Sequence, residues 1–139
     1  MARLLRHYLA AWSKQRVLLI GYSFGADVLP FVVNRLPADL RERVASVSLL
    51  GIDGNASFEV SIADWVGSGG SGAPTRPEVA ALAQLPVLCI YGAGESDSIC
   101  PGLSASQVAR EQIGTGHHFG GEYAQLADRI LAFAKSGRL

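Results

Sequence analysis

Val17-Leu18-Leu19-Ile20-Gly21-Tyr22-Ser23-Phe24-Gly25 carries the decisive information in this chain. Val17 to Ile20, entered from Arg16, is an unbroken apolar run, as expected of a strand buried on both faces of a sheet. Gly21 to Gly25 then reads Gly-x-Ser-x-Gly, and helical spacing follows from Phe24 to about Arg35. A serine at a tight strand-to-helix turn has its hydroxyl lifted above the strand ends. Glycines on either side let the neighbouring chain approach without a clash. The helix N-terminus points free N–H groups at the same spot, where they can stabilise an oxyanion, and the Phe24 amide is the expected donor. Ser23 is therefore the candidate nucleophile. The pentapeptide alone would fit an ordinary turn with an incidental serine; the strand before it and the helix after it favour the elbow.

Working outward, Pro30 lies inside the helix that follows the serine, where a kink is expected, and Leu36-Pro37 ends that helix. Val44 to Leu50 reads as a second strand closed by Gly51, and Pro86 to Tyr91 as a third ending at Gly92. Val108 to Ile113 is a weaker fourth. Pro77 to Gln84 reads as a short helix. The last helix runs from about Gly121 to Ala134, with Leu126, Ile130 and Ala134 on its apolar face. Met1 to Arg16 reads as an amphipathic helix through Leu4, Leu5, Tyr8, Leu9 and Trp12, and not as a signal peptide. Strands alternating with helices predict an α/β fold: a mostly parallel sheet of about four strands with helices on both faces. The order of elements fits the C-terminal portion of an α/β-hydrolase fold.

Residues 52–77 form an irregular insertion or cap-like loop between strands. Its glycine-rich run, Gly67 to Gly72, lacks the Gly-Lys-Ser/Thr ending of a phosphate cradle and does not pass from a strand into a helix. It reads as a loop. Twelve basic residues balance twelve acidic ones. With no Lys/Arg stripe, no nucleic-acid partner is expected. An apolar fraction of 49% is enough to build a core. No apolar run approaches the ~20 residues a membrane-spanning helix needs. No cofactor or metal is expected.

A serine hydroxyl needs a base. His7 lies on the first helix and reads as a surface residue. His117 and His118 sit in Gly114-Thr115-Gly116-His117-His118-Phe119, between the last strand and the last helix, where an α/β-hydrolase carries its base. His117, directly after a glycine, is preferred, with His118 as the alternate. The base needs an orienting acid, and the third strand is followed by Glu95 and Asp97. Counting forward from Gly92 favours Glu95; counting back from Pro101 favours Asp97. Asp97 is preferred for its shorter carboxylate and its Asp-x-x-x-Pro ending, with Glu95 as the alternate and Asp53 a distant third. Asp27 reads as a carboxylate favoured by the positive helix end. Cys89 and Cys100 flank the acid loop, and a bridge between them would pin it. By the chain-entropy model, closing ~12 residues is worth about 3 kcal/mol. Two free thiols would look the same in the sequence.

Beyond these residues, the chain resembles a family. Leu19-Ile20-Gly21-Tyr22-Ser23-Phe24-Gly25-Ala26-Asp27-Val28-Leu29-Pro30-Phe31 is similar to the nucleophile segment of the bacterial virulence proteins VirJ and AcvB. The similarity continues through Asn34 to Pro37, Val47 to Gly51, Phe58-Glu59, Val87 to Gly92, Asp97 to Pro101 and Gly116 to Phe119. The resemblance implies a periplasmic α/β-hydrolase-type domain that hydrolyses the aminoacyl ester of lysyl-phosphatidylglycerol, with a link to type IV secretion. It implies contact with a membrane surface, and Glu59, Asp64 or Glu95 could meet the lysyl ammonium groups. The family's strands before the nucleophile strand, with the loop that donates a second oxyanion-hole amide, have no counterpart here. The chain therefore reads as a partial domain with an open sheet edge, open also to self-association. Two other readings compete: a non-catalytic interaction module, and a small-molecule acyl esterase or thioesterase on the same scaffold.

Overall fold

The computed structural model describes residues 1–57 and 72–136. Helix α1 (Ala2–Ala11) leads to strand β1 (Val17–Tyr22), helix α2 (Phe24–Asn34), a single turn of helix α3 (Ala38–Arg41) and strand β2 (Val44–Leu50). Two short strands, β3 (Asn55–Ala56) and β4 (Ala73–Pro74), pair antiparallel before helix α4 (Thr75–Ala80). Strand β5 (Val87–Ala93), strand β6 (Ala109–Thr115) and helix α5 (Tyr123–Ser136) complete the chain, with 3₁₀ turns at Cys100–Gly102 and Phe119–Gly121.

The main sheet has four strands in the order β1-β2-β5-β6, and every pairing is parallel. Parallel neighbours need crossovers, and the helices that make them bury both sheet faces. On one face α1, α2 and α4 cover Leu19, Val47, Leu49, Val87 and Cys89. On the other, α5 closes over Leu50, Leu88, Ile90 and Ile113 through Leu126 and Ile130, with Phe119 buried between. The apolar run of β5 and the near-complete burial of β2, with Ser46 and Ser48 included, follow from that double cover. β6 is the strand of mixed character, Ala-Arg-Glu-Gln-Ile-Gly-Thr, as an edge strand tolerates.

β1 forms the other edge. Its alternation is divided: Leu19 and Gly21 are buried toward α2, whereas Leu18, Ile20 and Tyr22 remain exposed on the opposite face, which α5 does not reach. On α1 only Leu5 and Leu9 are buried, leaving Leu4, Tyr8 and Trp12 at the surface.

Helix α2 runs through Pro30 as one element, with Pro30 itself buried. Two local expectations need correction. Helix α4 starts two residues before Pro77, because the buried Thr75 donates its hydroxyl to Asp53 O (2.5 Å) and its N–H to Gly54 O (3.0 Å). Pro77 then falls within the first turn, where its missing N–H costs nothing. Residues 52–57 and 72–77 are also ordered against each other by the β3–β4 pair rather than irregular throughout. Glu59, Asp64 and Gly67 to Ser71 lie outside the described residues. At its far end α2 is tied to α4, where Glu78 accepts from Asn34 Nδ2 (2.7 Å) and Arg35 Nη2 (3.0 Å). The Arg35 guanidinium holds the Glu78 carboxyl below its ordinary range.

Candidate active site

Parallel strands present their C-terminal ends at one rim of the sheet, and three such ends build the site. The first is the elbow. β1 runs into α2 through Ser23, whose backbone is bent to φ 53° and ψ −127°. Positive φ at a residue with a side chain is strained and persists only where the surroundings enforce it. They do so here through Ser23 N–H donating to Leu50 O at 2.9 Å and Ser23 O accepting from Ala26 and Asp27 in the first turn of α2. A Cβ on Gly21 would lie 2.4 Å from Gly25 O, so the turn closes only with glycine at 21. The N–H groups of Phe24 and Gly25 open α2 and take no backbone acceptor among the described residues. Among the described residues they are left free at the helix end beside Ser23.

The second end supplies the histidine. After β6, Gly116 donates its N–H to Ala93 O at 2.8 Å and brings the next residue over the sheet rim. His117 Nε2 lies 2.8 Å from Ser23 Oγ. His118 points elsewhere: its Nδ1 is 2.7 Å from the Tyr22 hydroxyl. Of the adjacent pair, His117 is the one joined to the serine.

The third end supplies the acid, and here the preference for Asp97 is overturned in favour of its alternate. Glu95 Oε1 lies 2.5 Å from His117 Nδ1, and Glu95 Oε2 accepts from Gly92 N–H at 2.9 Å. The Asp97 carboxylate is exposed and takes a 3.3 Å hydrogen bond from Ser96 Oγ. The physical reason is the tight turn after β5, in which Glu95 N–H bonds Gly92 O (3.2 Å). That turn leaves the acid close to the strand, where the longer Glu side chain spans the gap, and carries Asp97 past it. The Glu95 side chain is 8% exposed and that of His117 40%, so the pair is dry at the acid and open at the base.

Cys89 and Cys100 are disulfide-bonded and fully buried. The bridge joins β5 to the 3₁₀ turn after the acid loop and so closes the loop that holds Glu95.

Two nearby features went unread in the sequence. Gly51, expected only to end β2, has φ +62°, and a Cβ there would sit 2.9 Å from Glu95 Oε1 and from His117 Nδ1 and Cε1. The acid and the base are packed so closely over the end of β2 that only glycine fits. The signal was present as a glycine directly after a buried strand, but it fits an ordinary turn equally well. Asp27 does more than face a helix end. Its Oδ1 accepts from Asp53 N–H at 2.9 Å, and burial, with the neighbouring Asp53 charge, raises its carboxyl above the ordinary range. Asp53, the third candidate acid, is thus engaged with Asp27 through its backbone.

Among the described residues, no group of three or more His, Cys, Asp or Glu is placed to hold a metal, and no helix is long and apolar enough to cross a membrane.

Comparison with known proteins places this arrangement. A solved structure described as "Thioesterase Domain From Curacin Biosynthetic Pathway" superimposes with a TM-score of 0.56 at 14% identity, over 92% of this chain and 71% of that one. At that identity the likeness is one of fold, and the fold is of the α/β-hydrolase type. No curated protein matches the sequence. The family model described as "Bacterial virulence protein (VirJ)" matches residues 1–137, nearly the whole chain, and the chain belongs to that family.

Proposed function

We propose that this chain is a serine ester hydrolase in which Ser23 is the nucleophile, His117 the general base and Glu95 the orienting acid. The observation that carries the reading is the continuous relay from Ser23 Oγ through both nitrogens of His117 to Glu95. With Nδ1 protonated and bonded to Glu95, Nε2 is left with a lone pair toward the serine hydroxyl. Ser23 Oγ attacks the ester carbonyl as its proton passes to Nε2. The oxyanion forms beside the free N–H of Phe24 at the start of α2. Collapse breaks the carbonyl carbon–alkoxy bond, Nε2 returns the proton to the leaving alcohol, and an acyl-serine remains. Water then attacks the acyl carbon as Nε2 takes its proton; the carbonyl carbon–Oγ bond breaks, Nε2 returns the proton to Ser23 Oγ, and the carboxylic acid leaves.

The substrate we propose is the aminoacyl ester of lysyl-phosphatidylglycerol, and what supports it is membership of the VirJ family together with a site suited to acyl esters. The same reading puts the chain in the periplasm. A buried disulfide favours an oxidising compartment. The test is incubation of the purified chain with lysyl-phosphatidylglycerol in mixed micelles, beside a Ser23→Ala control, with free lysine as the readout. Lysine release that needs Ser23 is the expected result. Equal release by the folded mutant would remove the serine mechanism. Ser23-dependent turnover of short-chain esters or thioesters without lysine release would keep the hydrolase and discard the lipid.

A further inference from the structure

Tyr22 is the last residue of β1 and the neighbour of Ser23, and its side chain makes three contacts with the base loop. Its ring stacks on the His117 imidazole, with centroids 5.4 Å apart and planes 27° from parallel. Its hydroxyl lies 2.7 Å from His118 Nδ1 and 3.3 Å from His117 O. A phenol has one proton to donate and can accept besides. Both contacts are therefore satisfied together when His118 carries its proton on Nδ1 and the Tyr22 proton goes to the His117 carbonyl. The Phe119 ring is tilted against the same ring, with centroids 6.2 Å apart. Tyr22 is 43% exposed, so core burial does not explain its orientation.

From this geometry we propose that Tyr22 is a positioning residue, a clamp from the nucleophile strand that fixes the ring plane of His117 and, through His118, the loop that carries it. The inference rests on His117 being the base. His117 is 40% exposed at its side chain and has Ser23 and Glu95 on its two nitrogens, which fix its edge but not the tilt of its plane. Tyr22 covers a face and supplies that constraint. The other charged or titratable groups around His117 are Glu95, His118 at 5.7 Å between ring centroids, and Asp27 on α2, itself paired with Asp53. A change at Tyr22 leaves Glu95 and Asp27 untouched and removes the hydroxyl contact of His118, a loss that Tyr22→Phe and Tyr22→Leu share.

The test compares Tyr22→Phe, which keeps the ring, with Tyr22→Leu, which keeps apolar cover but removes the aromatic face. Two readouts are used: the line widths of the His117 ring protons in NMR, which broaden when the ring exchanges between orientations, and the rate at which a fluorophosphonate labels Ser23. In Tyr22→Leu the His117 lines broaden and labelling slows roughly tenfold; in Tyr22→Phe, which keeps the ring, the lines stay as sharp as in wild type. A purely structural role would lower the thermal midpoint and leave the His117 lines unchanged. Unchanged His117 lines in Tyr22→Leu overturn the clamp. The NMR readout needs no turnover, so a wild type that fails to label while the lines broaden in Tyr22→Leu would sink the hydrolase reading and leave the clamp standing.

Discussion

Replacing Glu95 by glutamine changes one atom and should disable the site. Glu95 holds two donors at once: Gly92 N–H on Oε2 at 2.9 Å and His117 Nδ1–H on Oε1 at 2.5 Å. A glutamine has one acceptor and one donor end. If its oxygen keeps the bond from Gly92, its NH₂ faces Nδ1, which must then give up its proton and act as acceptor. The imidazole proton moves to Nε2, and a protonated Nε2 cannot accept from Ser23. If the amide is flipped, its NH₂ meets the Gly92 N–H, donor against donor, in a place where the side chain is 8% exposed and water cannot compensate. Either way the base is lost or misplaced. Wrong-tautomer substitutions of this kind lower kcat by about 10⁴-fold, equivalent to about 5 kcal/mol of transition-state stabilisation. Asp97→Asn, by contrast, alters an exposed carboxylate with no contact to His117, and should stay within about twofold of wild type. The assay is steady-state hydrolysis of an activated ester by both variants, with thermal melts to verify folding. Glu95→Gln within tenfold of wild type, or Asp97→Asn the more damaging of the two, would refute the assignment of the acid.

The remaining predictions concern the frame around the site. Gly51→Ala places a methyl 2.9 Å from both Glu95 and His117 at φ +62°; activity should fall by about 100-fold through misplacement, with a stability cost of about 1–2 kcal/mol in melts. Replacing Cys89 and Cys100 together by alanine opens a loop with a sequence separation of 11; the loss should be about 3 kcal/mol, read as a fall of roughly 10 °C in Tm, and reductant should reproduce it in wild type. Asp27→Asn keeps an acceptor for Asp53 N–H and removes a carboxylate whose folded pKa is raised by burial. Because the native carboxyl holds its proton to higher pH than the unfolded one, wild type loses stability as pH rises from the unfolded value of 3.8 through the native one, and no further above it. The variant should therefore melt higher than wild type at pH 7, by no more than about 1 kcal/mol because the group is half solvated. The gain should vanish below pH 3.8.

Much of this was legible in the sequence because parallel sheets write themselves plainly. Val87 to Tyr91 is an apolar run, and Val44 to Leu50 a largely apolar one, of the kind a doubly covered sheet requires; Val17 to Ile20 reads the same way, but as an edge strand it keeps Leu18 and Ile20 exposed, so the expected burial on both faces fails there. Each segment ends just before a glycine at the functional rim. The serine could be placed from its position between strand and helix, since that junction fixes where the hydroxyl points. The acid was harder, because Glu95 and Asp97 are two residues apart and the choice depends on how tightly the chain turns after β5. That turn is set by Glu95 N–H to Gly92 O and by the bridge to Cys100, neither of which has a local signature. The parts hidden from the sequence are contacts between distant elements. Gly51 against His117 and Tyr22 against His118 join residues tens of positions apart, and nothing in the local pattern of either partner reveals the other.

The central claim is that these residues assemble an activated serine, and the most direct measurement is labelling of the purified chain by a fluorophosphonate probe beside Ser23→Ala and His117→Ala. Labelling of wild type that is absent in the serine mutant and at least about 100-fold slower in the histidine mutant is the predicted result. A folded wild type that takes up no probe, or one labelled equally well without Ser23, would contradict it.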